Sequence, residues 1–135
     1  MSLFSFHGKR PDNLGVTDLK LGSCPNTPNC VSTQDEDEQH KIEPLAFNSS
    51  PSDAIAKLAS VINAMEGSEI IVQSNDYIHA EFTSKIMGFR DDVEFYIGPQ
   101  TQVIQVRAAA RLGKSDLGVN RKRIEAIRKG FNDAV

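Results

Sequence analysis

Apolar positions recur along this chain at two different periods. Ile55, Leu58, Ala59, Ile62 and Met65 stand at i, i+3, i+4, i+7 and i+10, the spacing of one face of an α-helix. Ser50-Pro51-Ser52-Asp53 precedes them. Ser50 suits an N-cap, Pro51 the first helical position, and Asp53 the third position of a capping box. Gly67 is a natural C-terminal stop, so a helix is predicted over 51–66. Ile124, Ile127 and Phe131 give a narrower stripe and predict a helix over 120–131, with Glu125 and Lys129 as a favourable i, i+4 pair.

Between the two helices the period drops to two. Strands are predicted over 70–73, 77–82, 92–97 and 101–108, with turns at 74–76 and 98–100 and a loop at about 84–91. In the third strand Val93, Phe95 and Ile97 share one face while Asp92, Glu94 and Tyr96 share the other. Pairing residues whose numbers sum to 199 sets Val93 opposite Val106, Phe95 opposite Ile104, Asp92 opposite Arg107 and Glu94 opposite Gln105. Apolar then meets apolar and acid meets base, whereas a one-residue slip ruins both matches.

Residues 1–48 carry no sustained period. They hold Pro11, Pro25, Pro28, Pro44 and the acidic run Asp35–Glu38, and read as an extended, loop-rich arm wrapping a core at 49–135. The expected fold is a single α+β domain of two layers: a four-stranded antiparallel meander with helices packed on one face.

Length agrees with one domain: 135 residues, where domains commonly run to roughly 100–150. No apolar run approaches the ~18 residues of a membrane span. The opening Met1–Pro11 lacks the pattern of a signal peptide, so a soluble, cytoplasmic protein is expected. With no Trp and 7% aromatic residues, a stacking platform for nucleic acid is disfavoured.

The net charge of −3 hides a strong asymmetry. Residues 1–69 hold 5 basic and 10 acidic side chains, while residues 107–129 hold 8 basic and 2 acidic. Arg121, Lys122 and Arg123 crowd the first turn of the second helix, where the helix dipole disfavours cations. A helix start with guanidinium forks beside it can cradle an anion. The candidate ligand-binding residues are Ser84, Arg90, Arg107, Arg111, Lys114, Ser115, Asn120, Arg121 and Arg123. The competing reading is an internal network in which Asp91, Asp92, Glu94 and Asp116 neutralise those bases.

Other chemistries are weaker. Hydrolysis would use Ser84 or Ser115 as nucleophile with His79 as base, but no nucleophile-elbow spacing supports it. Cys24-Pro-Asn-Thr-Pro-Asn-Cys30 is a tight loop, open to structural, reactive-thiol or redox-disulfide readings. Zinc needs four ligands, and Cys24, Cys30 and His40 supply three, so no metal and no cofactor is expected.

Five ordered motifs carry a resemblance: Gly8–Val16 (GKRPDNLGV), Cys24–Ser32 (CPNTPNCVS), Ala80–Ser84 (AEFTS), Gly88–Phe95 (GFRDDVEF) and Arg107–Arg123 with its Ser-Asp-Leu-Gly-Val-Asn-Arg core. Over about residues 14–131 the chain resembles the family catalogued as domain of unknown function 1499, and its opening is similar to the cyanobacterial and plastid branch. The resemblance implies no activity and transfers no catalytic residue. Thr33 keeps the hydroxyl of a Ser frequent in the family, whereas Ala108–Ala110 replace positions where Ser is frequent.

The function expected is a non-catalytic module binding a small anionic or phosphorylated ligand, or a protein partner, at the basic segment before and at the start of the last helix. The alternatives are a scaffold held by internal salt bridges and a serine-dependent hydrolase. No membrane partner is expected, and nucleic acid is disfavoured.

Overall fold

The first helix, α1 (Pro51–Asn63), starts as its sequence predicts: the Ser50 side chain accepts from the Asp53 amide, and Pro51 opens the helix. It ends three residues before the expected 66. Ala64 caps it, and Gly67, at φ +79°, turns the chain into the next strand. The second helix, α2, spans Val119–Asp133. Its expected Glu125–Lys129 pair is replaced by Glu125–Arg128 and Lys129–Asp133 pairs. The computed structural model describes residues 7–85 and 87–134. Residues 1–6 of the arm, Ile86 of the 84–91 loop and Val135 lie outside the described residues.

Four strands form the expected meander, β5 (Ser68–Gln73), β6 (Tyr77–Thr83), β7 (Arg90–Tyr96) and β8 (Val103–Ala110), each antiparallel to the next. The sheet itself has six strands, not four. In the arm, β3 (Cys30–Ser32) pairs with residues 107–109 of β8, and β4 (Leu45–Ala46) pairs with residues 103–104. Such short segments carry no readable period, yet they cover the edge of β8, whose backbone groups would otherwise stand unpaired. A separate hairpin joins β1 (Val16–Thr17) to β2 (Lys20–Leu21).

The register of β7 on β8 also corrects the expectation. Phe95 faces Val106, Val93 faces Ala108, and Glu94, not Asp92, faces Arg107. The shift is two residues, so every side chain keeps its face. Apolar alternation fixes the parity of the pairing but cannot distinguish registers two residues apart.

One face of the sheet is the core. Ile78, Ala80, Phe82, Val93, Phe95, Ile104, Val106 and Ala108 meet Ile55, Leu58 and Ile62 of α1 and Ile124, Ile127 and Phe131 of α2. The other face is polar and is also buried, beneath the chain preceding β3. Among the described residues no helix is long and apolar enough to cross a membrane.

The turn after α1 is tightly constrained. A Cβ on Gly67 would lie 2.5 Å from the Thr83 carbonyl oxygen, while the Gly67 carbonyl accepts from the Thr83 amide. Gly67→Ala is expected to lower stability by about 2 kcal/mol or more, from left-handed strain plus this clash. Urea unfolding checks it, and an unchanged midpoint would contradict this account of the turn.

Candidate functional site

The alternation of β6, β7 and β8 directs His79, Glu81, Asp92, Glu94 and Arg107 to the polar face, and Arg111, one residue past the end of β8, joins them. The first five are buried at 3% exposure or less, as is the Arg111 side chain at 3%. Asp92 stands opposite Glu81 across the strands, a like-charge pairing that is unfavourable alone. Arg111 resolves it. Its Nε and Nη2 donate to the two oxygens of Asp92 at 2.8 and 2.9 Å, and Nη2 also donates to Glu81.

The arm completes the network. Arg10 Nε donates to Glu81 at 2.7 Å, and the Gly15 amide donates to Glu94 at 2.7 Å. Tyr77 donates its hydroxyl to the same Glu94 oxygen. His79 Nε2 lies 2.8 Å from Asp92. The Cys24–Cys30 disulfide ties this covering chain to β3, and the Cys24 amide donates to Asp35.

These contacts set the ionisation of the face. Burial alone would raise the pKa of Asp92, but hydrogen bonds from Arg111 and His79 outweigh it and hold the carboxyl below its ordinary value. Glu81 is held low in the same way, burial being overcome by Arg10 and Arg111. Tyr77 is pushed up, first by burial and then by its bond to Glu94.

A second polar cluster lies at the end of the sheet near the start of α2. Asp91 points to the helix side and pairs with Arg123 Nη1 at 2.7 Å. Burial raises the Asp91 pKa against the opposing pull of Arg123. Arg123 Nη1 also donates to Asn120 Oδ1, and its guanidinium lies 4.8 Å from the Phe82 ring centre. The amides that open α2 are taken up internally: Asp116 accepts from Gly118 N, Asn120 N and Asn120 Nδ2. Above this cluster is a pocket of about 340 Å³ lined by Ser84, Arg90, Asp91, Ser115, Asp116 and Arg123, with Phe89, Leu112, Leu117 and Val119 as apolar walls. Those four apolar residues are 42–89% exposed.

The basic residues singled out in the sequence therefore separate. Arg107 and Arg111 lie on the arm-covered face, whereas Ser84, Ser115 and Arg123 line the pocket. Arg90 borders both, lining the pocket while its guanidinium lies 3.7 Å from Glu81 and donates to Thr83 Oγ1. Asn120 is buried against Asp116. Arg121 turns away and donates to the carbonyls of Lys41 and Gln39. Lys114 is exposed.

Sequence reasoning missed Arg10, Tyr77, His79 and Glu81 as members of the charged face. The signal was the alternation of β6, which sets Tyr77, His79 and Glu81 opposite Ile78, Ala80 and Phe82. It also missed the apolar pocket walls, which stand in loops without a period.

For hydrolysis the geometry offers little. Ser84 Oγ accepts from Phe89 N and Ser115 Oγ from Leu117 N, while His79 is engaged with Asp92. His79, Glu81 and Asp92 present ligand atoms within 4.8 Å of one another, as do Asp35, Asp37 and His40. In the first trio the guanidinium groups of Arg111 and Arg10 take the place a dication would need.

Residues 20–131 match the family model described as "Protein of unknown function (DUF1499)". A comparison with curated proteins finds no match.

Removing one partner of a buried ion pair leaves the other charge uncompensated and costs about 3–5 kcal/mol. Asp92→Ala is expected to lose that much in urea unfolding at neutral pH. Because the Asp92 and Glu81 pKa values are depressed, their contribution is full above the ordinary values of 3.8 and 4.5. It is lost as the pH falls through the lower folded values. The stability of Asp92→Ala should accordingly fall less steeply than wild type in acid. A loss below about 1 kcal/mol, the scale of exposed pairs, would contradict the buried network.

Proposed function

The chain belongs to the family of proteins of unknown function DUF1499, and we propose that it acts as a non-catalytic binding module for a small amphiphile with an anionic head group. The observation that carries this reading is the pocket beside α2, where Ser84, Arg90, Ser115 and Arg123 line the same space as the exposed Phe89, Leu112, Leu117 and Val119. Its volume of about 340 Å³ falls within the range of small-molecule sites, and apolar walls with a few polar groups are the common make-up of such sites.

The polar groups retain capacity for a ligand. Among the described residues Arg123 makes its hydrogen bonds through Nη1, leaving Nε and Nη2 as donors. Ser84 and Ser115 use their oxygens as acceptors, so each hydroxyl hydrogen can be donated. An anionic head near Arg123 competes with Asp91, and the raised Asp91 pKa makes that competition dependent on pH.

A second reading, the scaffold, is favoured by the buried pairing of Arg111 with Asp92 and Glu81. It concerns the opposite face and is compatible with a ligand site beside α2.

Octanesulfonate, which stays ionised, and uncharged octanol separate the head-group contribution from the apolar one. The sulfonate should bind more tightly as the pH falls toward the raised Asp91 pKa. Asp91→Asn should give the tighter binding, by about tenfold, without that pH dependence. Arg123→Ala should weaken the sulfonate by about tenfold or more and leave octanol unchanged. Calorimetric titration measures all three. Equal sulfonate affinity in wild type and Arg123→Ala would overturn the assignment.

A further inference from the structure

Arg107 stands in the middle of β8 on the covered polar face and is 3% exposed. A guanidinium carries five N–H donors. Among the described residues, one of these makes a hydrogen bond, Nη2 to the Ser23 carbonyl, at a long 3.4 Å. Nε is buried with no partner. The facing carboxylate, Glu94, approaches Nη1 only to 3.9 Å through an Oε1 that itself has no partner. The other Glu94 oxygen is held by Gly15 and Tyr77. A buried cation so sparsely hydrogen-bonded is costly, because burial excludes bulk solvent and one long contact to an acceptor replaces little of it.

Arg111, four residues on and on the same face, shows what such a group does when it is satisfied. It presents its Nε/Nη2 edge to both oxygens of Asp92. Among the described residues the same edge of Arg107 makes no hydrogen bond to a carboxylate. Asp92 and Glu81 are engaged by Arg111, Arg10 and His79, so neither is free to turn toward it. Arg107 instead lines a cavity of about 390 Å³, together with Asn13, Ser23, Cys24, Arg111 and Asp92, the last already neutralised by Arg111. A Cβ built on Gly22 would lie 3.8 Å from Nε and 3.2 Å from the Asn13 carbonyl oxygen, so the chain at Gly22 packs close beside this guanidinium.

We infer that this cavity, between β8 and the chain from Asn13 to Pro25, is a separate binding site for a small carboxylate held by Arg107. The planar guanidinium matches a planar carboxylate in two parallel hydrogen bonds, here through its Nη1 and Nη2 end, because Nε is buried. The Ser23 carbonyl gives up its long contact to the incoming oxygen. The Asn13 and Ser23 side chains are the polar groups that read the rest of the molecule.

The test uses the full chain labelled with ¹⁵N and follows the arginine Nε–H resonances by NMR, with Arg107→Lys identifying the Arg107 signal. Acetate is the probe, and acetamide and inorganic phosphate are the comparisons. Acetate should shift the Arg107 signal saturably, with a Kd of about 1 mM or tighter, and acetamide should not shift it. Ala109→Leu, which fills the cavity from a β8 position that lines it, should abolish the shift in a folded protein. Arg123→Ala should leave it unchanged, so failure of this site and of the pocket beside α2 are read separately. An unmoved Arg107 signal in wild type would overturn the inference, as would an equal response to acetamide or a response to phosphate without one to acetate.

Discussion

Arg111 bridging Asp92 and Glu81 is the contact on which the rest of this structure depends. The meander sets those two carboxylates opposite each other on neighbouring strands, and like charges in that position oppose the pairing. A single guanidinium held by both converts a repulsive register into an attractive one. Burial strengthens the effect in both directions, since a low dielectric rewards a complete network and penalises an incomplete one. The completing groups, Arg10 and the Gly15 amide, come from the arm. The arm is therefore needed to make the charged face of the sheet tolerable, and the charged face is what fastens the arm.

This arrangement divides the molecule chemically. On the helix side the sheet is apolar and closed by α1 and α2. On the arm side it is ionic, and Arg107 is its least satisfied member. Where the sheet ends beside α2, neither layer covers it fully. Asp91 and Arg123 lie there in partly apolar surroundings, with Phe89, Leu112, Leu117 and Val119 partly exposed around them. Isolated exposed apolar side chains are ordinary, but several around one concavity are a feature of binding surfaces. At the opening of α2, Asp116 takes up the amides of Gly118 and Asn120. Arg121, which looked like part of an anion cradle, instead fastens the helix to the Gln39–Lys41 chain.

Much of the fold was legible in the chain. The helix-period stripe of 55–65, its Ser50 cap and the alternation of 92–97 and 101–108 identified elements and faces, because these signals are local. The sheet's two added strands were not legible, since Cys30–Ser32 and Leu45–Ala46 are stabilised by pairing with β8 rather than by any pattern of their own. The candidate site was half legible. The residue types were right for charged contacts, but their grouping by sequence proximity joined Arg111 to Arg123, which lie on different sides of the sheet.

The sequence by itself determined where the two helices and the four meander strands form, which of their side chains share a face, and that basic residues concentrate in the last third of the chain. Periodicity and capping act over a few residues and need no distant partner. Only the tertiary structure decided that β7 and β8 pair two residues from the expected register, that the polar face is buried, and which acid meets which base. Those outcomes depend on contacts between residues such as Arg10 and Glu81, far apart in the chain. Their energy comes from removing charges from water together, and no local segment contains that information.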